Sequence, residues 1–168
     1  MAEPLLFVDA NPVQRLVRRF ASSDPGSWVF AHVAHHMDRP VFRWTRGRHT
    51  VGSLLTGLPV VMLTTTGART GRPRTVPILG FPTQDGGVAV IASNFGQRPQ
   101  TGWYHNLRAR PEGEVAVDGH RWRCRAEEVT GDQRDRIWSE ALKVYPGFAQ
   151  YERRAAHRRI HVFFLHPA

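Results

Sequence analysis

The stretch PVVMLTTTGARTGRPRTVPILGFPTQDGGVAVIAS, residues 59–93, decides the fold. The run that opens at Pro59, PVVMLTTT, has the β-branched content and the length of a buried strand. The turn GARTGRP leads into a second such run, RTVPILGF, and TQDGG leads into a third, VAVIAS. Connections this short join antiparallel neighbours, because parallel strands need a crossover of a dozen or more residues.

Upstream, Val13, Leu16, Val17 and Phe20 recur at helical spacing between Asn11 and Phe20, with Arg15, Arg18 and Arg19 facing away. Ser22 to Gly26 breaks this basic helix, and Trp28 to Met37 forms another that Asp38-Arg39-Pro40 stops. Downstream, Ser93 to Gly102 is a loop, and TGWYHNLRAR is a short helix ended by Pro111. EVAV and RWRCRAEEV flank Asp118-Gly119, a two-residue hairpin signal, and Trp122, Cys124 and Ala126 alternate with Arg121, Arg123 and Arg125. Gly131 to Val144 is helical, with Ile137, Trp138, Ala141 and Leu142 on one face, and IHVFFL is the last strand. Six strands with no long crossover between most of them predict an α+β chain whose mainly antiparallel sheet closes into a barrel.

A chain of 168 residues, 41% hydrophobic, builds one real core and leaves little room for a second domain. The single Cys124 forms no internal disulfide and no cysteine zinc site, which fits a reducing cytoplasm. No run approaches the roughly 18 to 20 apolar residues of a membrane span, and MAEPLLFVDANP lacks the pattern of a signal peptide. The formal charge is +9 and almost all of the cations are arginine, Lys143 being the sole lysine. The planar guanidinium fork suits phosphate and carboxylate, so a nucleic acid, an acidic membrane face, an anionic cofactor and mere solubility all account for it.

Within Thr64 to Pro77, a glycine-rich turn carries Arg69 and Arg72, with Arg74 opening the next strand. Backbone N–H groups and guanidinium forks there suit a phosphate or carboxylate, although an ordinary solvated hairpin turn reads equally well. It is not a Walker A loop, because Arg72 and Pro73 follow Gly71. Trp103, Tyr104, His105 and Asn106 bring aromatic and hydrogen-bonding groups near Ser93 and Asn94 if their helix folds over the barrel mouth. The alternative makes Trp103 and Leu107, four apart, the core face of that helix. Tyr145, Phe148 and Tyr151 recur every third residue around Pro146, either as pocket phenols able to donate to an acceptor oxygen or as an aromatic seal on the sheet. His32, His35 and His36 share a helix face but lack the carboxylate of a zinc protease motif, and no metal site is assigned. No G-x-S-x-G elbow and no G-x-G-x-x-G after a strand occur, so redox chemistry here requires a bound cofactor other than a Rossmann nicotinamide.

The blocks LTTTGARTGRPRTVPIL, VIASNFG and GWYHNLRARPEGEVAV, in this order and spacing, closely resemble the deazaflavin (F420)-dependent nitroreductase and quinone reductase family. The resemblance runs from about Asp38 to Leu165 and excludes the first helix, dividing the chain into a helical extension, 1–37, and a barrel domain, 38–168. It implies a split β-barrel with the deazaflavin in a groove. By position, Arg69, Thr70 and Arg74 then hold the anionic tail, Pro77 and Leu79 line the groove, and Ile91, Ala92, Ser93 and Asn94 approach the ring system. Trp103 and Tyr104 close the cofactor site. Tyr145, Phe148 and Tyr151 stand over the acceptor, with Ser93, Tyr145 and Tyr151 as the catalytic candidates. The family moves a hydride to quinones, nitroaromatics or other activated acceptors, and the cofactor carries the hard chemistry. This chain departs from the pattern at Ala68-Arg69, where the family commonly has Arg-Lys, at Asn94, near which a lysine is frequent, and at Phe148, where a tyrosine is usual.

Two other readings compete. One keeps the barrel and exchanges the deazaflavin for FMN or haem; FMN ranks below F420. The other is a basic binder of nucleic acid or membrane surface, using the first helix and the Arg121, Arg123, Arg125 row; the nucleic acid ranks low because no known module is present. Peripheral contact of Val13 to Phe20 with the inner face of the cell membrane is compatible with an enzyme acting on lipid-borne quinones, and so is a homodimer.

Overall fold

The structure is a computed structural model, and it describes residues 12–23, 57–83, 86–117 and 119–168. The helix expected at Trp28 to Met37, its three histidines and Asp118 of the hairpin turn lie outside these residues. Helix α1 spans Pro12–Ser22 and is followed by strands β1 (Val60–Thr66), β2 (Pro73–Pro82) and β3 (Val88–Ile91). Helix α2 (Gly102–Ala109) precedes the hairpin of β4 (Glu112–Val117) and β5 (His120–Val129). Helices α3 (Gly131–Val144) and α4 (Gly147–Arg154) then lead to β6 (Val162–Pro167).

All six strands pair antiparallel, in the closed order β1-β2-β3-β6-β5-β4. The two-residue period of each strand sorts its side chains between two cores. Val61, Leu63, Val90, Val115, Cys124, Phe163 and Leu165 fill the barrel interior. On the outer surface, Phe81, Ala89, Ile91, Val162 and Phe164 pack under α3 and α4 through Trp138, Tyr145, Phe148 and Tyr151. All four residues of β3 are buried because one face looks inward and the other lies under the helices. A continuous apolar run is the sequence form of such a strand.

The alternation expected in β5 holds: Trp122, Cys124 and Ala126 belong to the inner layer, while Arg121, Arg123 and Arg125 are exposed. That basic row is largely neutralised by its neighbour strand. Arg121 pairs with Glu114 and Arg125 with Glu112, each at 2.8 Å. Exposed pairs of this kind contribute only about 0.2–1 kcal/mol, but they mark a solvated face rather than a groove for a polyanion.

Helix α1 differs from its expected orientation. Arg18 does not face away with Arg15 and Arg19; it donates to the carbonyls of Gly57 at 3.2 Å and Val144 at 3.4 Å. The apolar residues Val13, Leu16 and Phe20 are 67%, 69% and 50% exposed. The carbonyls at the C-terminal end of α3 and in the loop at Gly57 give the Arg18 guanidinium acceptors within the protein.

Cys124 yields a prediction for stability against pH. Burial pushes its thiol from 9.0 up to about 11; a backbone hydrogen bond with Gly113 lowers it slightly and Glu114 raises it. Above pH 9.0 the unfolded chain loses a proton that the folded chain keeps, so folding stability falls as pH rises toward 11. The loss is about 2–3 kcal/mol. Urea midpoints measured between pH 8 and 11 for the parent and for Cys124→Val should show a steeper alkaline decline in the parent; equal slopes would contradict this account of the buried thiol.

Candidate functional site

β2 pairs along most of its length with β1 on one edge but over only three residues with β3 on the other, and the uncovered part of that second edge is the candidate groove. Its ten residues pair with β1 from Pro73 to Leu79 but with β3 only from Gly80 to Pro82. The Gly80 N–H donates to Pro59 O on the β1 side, at 2.9 Å. By alternation, Thr75, Pro77 and Leu79 turn their backbone toward the edge that no strand covers among the described residues. Pro77 has no N–H to leave unsatisfied there, which is where a strand tolerates proline. The same register places the end of β1, the start of β2, the end of β3 and the start of β6 at one end of the barrel. The groove therefore runs from the basic turn, along the half-buried Pro77 and Leu79, to Ile91 and the loop after it.

The basic turn, residues 67–72, is built to stand still. Gly67 N–H donates to Arg72 O and Gly71 N–H to Gly67 O, both at 2.8 Å, with Gly71 at φ +65. The hydroxyl of Thr70 accepts from Arg72 N–H at 3.3 Å. Asn106 of α2 ties this turn to the barrel: its Oδ1 accepts from Ala68 N–H and its Nδ2 donates to the buried Thr65 hydroxyl, each at 2.9 Å. Arg110 adds a bond to Gly67 O at 3.3 Å. Arg69, Arg72 and Arg74 remain exposed, with no ion-pair partner among the described residues.

At the opposite wall the chain leaves β3 through a distorted turn. Ser93 is right-handed helical, whereas Asn94 and Phe95 have φ of 45° and 56°, a region that costs a bulky residue about 1–3 kcal/mol. Gly96 follows at φ +78, and a Cβ there would meet Tyr151 O at 2.8 Å and Arg154 Cβ at 2.7 Å, so no larger residue fits. Asn94 Nδ2 donates to Pro99 O at 2.9 Å. The backbone N–H groups of Asn94 and Phe95 have no acceptor among the described residues. Arg158, which sequence reasoning passed over, donates to the carbonyls of Ser93 at 2.6 Å, Gln97 at 3.0 Å and Ala92 at 3.3 Å, and to Gln100 Oε1 at 3.0 Å.

The structure gathers most of the expected site residues along this groove but gives two of them other surroundings. Trp103 is buried with Leu107 in the barrel interior, edge-on to Phe163 at 5.9 Å, and plugs the barrel end as a core residue. Ala92 is fully buried, its N–H held by His161 O and its carbonyl by Arg158. Tyr104 is half-buried and joins a polar ring unforeseen from the sequence: its hydroxyl contacts His161 Nε2 at 3.5 Å and accepts from Arg108 at 3.3 Å. Glu128 completes the ring through His161 Nδ1 and Arg108. His105 and Asn106 do not turn toward Ser93 and Asn94; Asn106 serves the basic turn instead.

Tyr145, Phe148 and Tyr151 come together, as their spacing around Pro146 suggested, and all three are buried. Phe148 is tilted against Phe81 at 6.0 Å, and Phe95 meets Tyr151 edge-on at 5.7 Å, which links the aromatic layer to the loop wall. The two phenol oxygens are 2.9 Å apart and hydrogen-bonded. Burial raises both phenols above their ordinary range. They are donors and acceptors in neutral form, not bases.

Comparison with known proteins follows the geometry. Residues 37–167 match the family described as F420H(2)-dependent quinone reductase. The F420H(2)-dependent quinone reductase of Mycobacterium tuberculosis is 34% identical over 121 residues, 68% of this chain and 79% of that protein. Among solved structures, an F420-H2 dependent reductase is 33% identical, with a TM-score of 0.57 over 64% of this chain and 93% of the other. A chain described as a domain-swapped dimer is 29% identical, with a TM-score of 0.60 over 84% and 99% of the two chains.

The Asn106 clamp is open to direct test. Asn106→Leu keeps the bulk but leaves the buried Thr65 hydroxyl without its donor and Ala68 N–H without its acceptor. We expect a loss of about 1–3 kcal/mol in a urea titration at unchanged m-value, with faster amide exchange at Ala68. An unchanged exchange rate at Ala68 would show that the turn is held by its own hydrogen bonds.

Proposed function

The chain belongs to the F420H(2)-dependent quinone reductase family, and from that premise we propose that the groove between β2 and the loop after β3 holds the reduced deazaflavin against a quinone. As a member of that family the protein is an oxidoreductase with coenzyme F420 as its electron donor. The observation that carries the site assignment is the basic turn and the strand start beside it: three exposed guanidiniums, on a backbone clamped by Asn106, at the head of a β2 edge that no strand covers among the described residues. Their fork geometry and lack of ionic partners among the described residues fit a phosphate and an acidic tail.

Arg69 and Arg74 would bind that tail, with Thr70 shaping the turn and Pro77 and Leu79 forming the apolar wall beside the ring. When bound, the reduced deazaflavin supplies the hydride. The chain orients the partners and shields them from water. Ile91 and the buried pair Trp103 and Phe163 would keep that end of the barrel dry, and the half-buried Ser93 and Asn94 offer polar groups on the loop wall. Tyr145, Phe148 and Tyr151 form the aromatic wall on the acceptor side, in contact with the loop through Phe95. Their raised phenols keep their protons at neutral pH, so they support an acceptor oxygen as hydrogen-bond donors. Nitroaromatics and other activated acceptors belong to the same proposal.

We further propose that the enzyme works at the inner face of the cell membrane as a homodimer, with α1 as the membrane contact. Val13, Leu16 and Phe20, exposed between arginines, support the contact. Replacing Leu16 and Phe20 by asparagine should abolish flotation with anionic vesicles, and a flotation profile equal to the parent's would remove α1 from this role. The mass in solution decides the dimer.

The reaction itself is tested by mixing the protein with reduced F420 and menadione and following the return of oxidised-cofactor absorbance. Arg69→Ala and Arg74→Ala should each raise KM for the reduced cofactor about tenfold, the equivalent of about 1.4 kcal/mol, with kcat nearly unchanged. Wild-type protein that neither binds nor oxidises the reduced cofactor would overturn the proposal.

A further inference from the structure

The loop that leaves β3 carries three successive residues with positive φ, two of them not glycine, and such backbone persists only where its surroundings over-determine it. The loop's own hydrogen bonds do not suffice. Ser93 N–H reaches Ile91 O, Gly96 N–H reaches Ser93 O and Gln97 N–H reaches Asn94 O, all at 2.9 Å and all local. Gln100 Nε2 donates to Arg159 O at 3.2 Å and Phe95 packs edge-on against Tyr151, but one side chain makes most of the long-range hydrogen bonds. Arg158, half-buried between α4 and β6, points its guanidinium at the loop and donates to the carbonyls of Ala92, Ser93 and Gln97 and to the side-chain carbonyl of Gln100. These acceptors bracket the left-handed residues on both sides.

We propose that Arg158 is the positioning residue of the cofactor groove: by holding the Ala92, Ser93 and Gln97 carbonyls, it fixes the left-handed turn that presents Asn94 and Phe95 to the deazaflavin. The right-handed to left-handed step at Ser93-Asn94 aligns successive N–H groups, and those of Asn94 and Phe95 have no acceptor among the described residues. With the carbonyls turned to Arg158, these amides remain for an electron-rich oxygen in the groove. Lysine does not substitute, because one ammonium on a flexible stem cannot span four acceptors that a planar five-donor fork can. Gly96, packed on Tyr151 O and Arg154 Cβ, secures the other side of the loop against α4.

The inference rests on the groove being the F420 site, and its test separates the two claims. Amide exchange at residues 93–97 is measured without cofactor in the parent, Arg158→Lys and Arg158→Met, and binding of oxidised F420 is followed by its fluorescence. Both variants should exchange faster in this loop at unchanged rates in β1 and β4, and should bind F420 at least about tenfold more weakly, a difference of about 1.4 kcal/mol. Guanidinium ion added to Arg158→Met should restore part of the binding, and ammonium should not. If Arg158→Met does not fold, Arg158→Lys carries the test alone. Parent-like loop exchange and F420 affinity in the folded variants would overturn the role of Arg158. A parent protein that fails to bind F420 would overturn the site assignment, while faster loop exchange in the variants would still establish the lock.

Discussion

β2 cannot satisfy two neighbours over its whole length. Seven of its residues pair with β1, and only its last three pair with the four-residue β3. The barrel still closes, through β4 on β1 and β6 on β3, so the mismatch does not open the sheet into an exposed edge along its full height. It leaves a split at one end. The basic turn lies there because it joins β1 to β2, and α2 lies there because it follows the loop out of β3. A polar site consequently costs the core little: the two apolar layers hold the middle of the barrel, while the groove takes the strand ends where pairing has already lapsed.

Much of this was legible in the sequence. Turn chemistry, β-branched and apolar runs of strand length and, in β5, two-residue alternation located all six strands, and the short connections leave antiparallel pairing as the simplest solution. The direction of Cys124 and of the arginine row followed from alternation alone. The groove was not legible from periodicity, since it depends on where β3 stops relative to β2, a matter of register between segments that local pattern does not encode. The motif resemblance supplied it. Arg158 escaped notice for a related reason: it sits in ERRAAHRRIH among three other arginines, and only the fold shows that its neighbours in space are the carbonyls of a loop about sixty residues earlier.

Trp103 and Asn106 show how a short helix divides its residues. The sequence left Trp103 either on the open side of the groove or with Leu107 on the core face, and the eight-residue α2 must bury one face to be stable, because an amphipathic helix of that length forms only with tertiary support. Trp103 and Leu107 are that buried face. Asn106 lies next to them and is buried too, so its amide needs partners within the protein; it finds them in Thr65 and Ala68 and thereby couples the barrel plug to the basic turn. The neighbouring Tyr104 is left half-buried, with His161, Glu128 and Arg108 around it.

The net charge of +9 invited a polyanion as partner, and the arginines show why net charge is poor evidence for one. Arg18, Arg110 and Arg158 donate to backbone carbonyls, and each therefore acts as a crosslink between segments distant in sequence. Arg121 and Arg125 are matched by glutamates on the adjacent strand. Arg134 lies over the Trp138 ring at 4.8 Å and pairs with Asp135 and Glu152, so its charge is met within the protein. Set against these, Arg69, Arg72 and Arg74 are distinguished by location, on and beside a turn that Asn106 holds, not by their contribution to the total. What sets these three apart is their grouping on and beside one clamped turn, whereas the other exposed arginines are scattered over the surface.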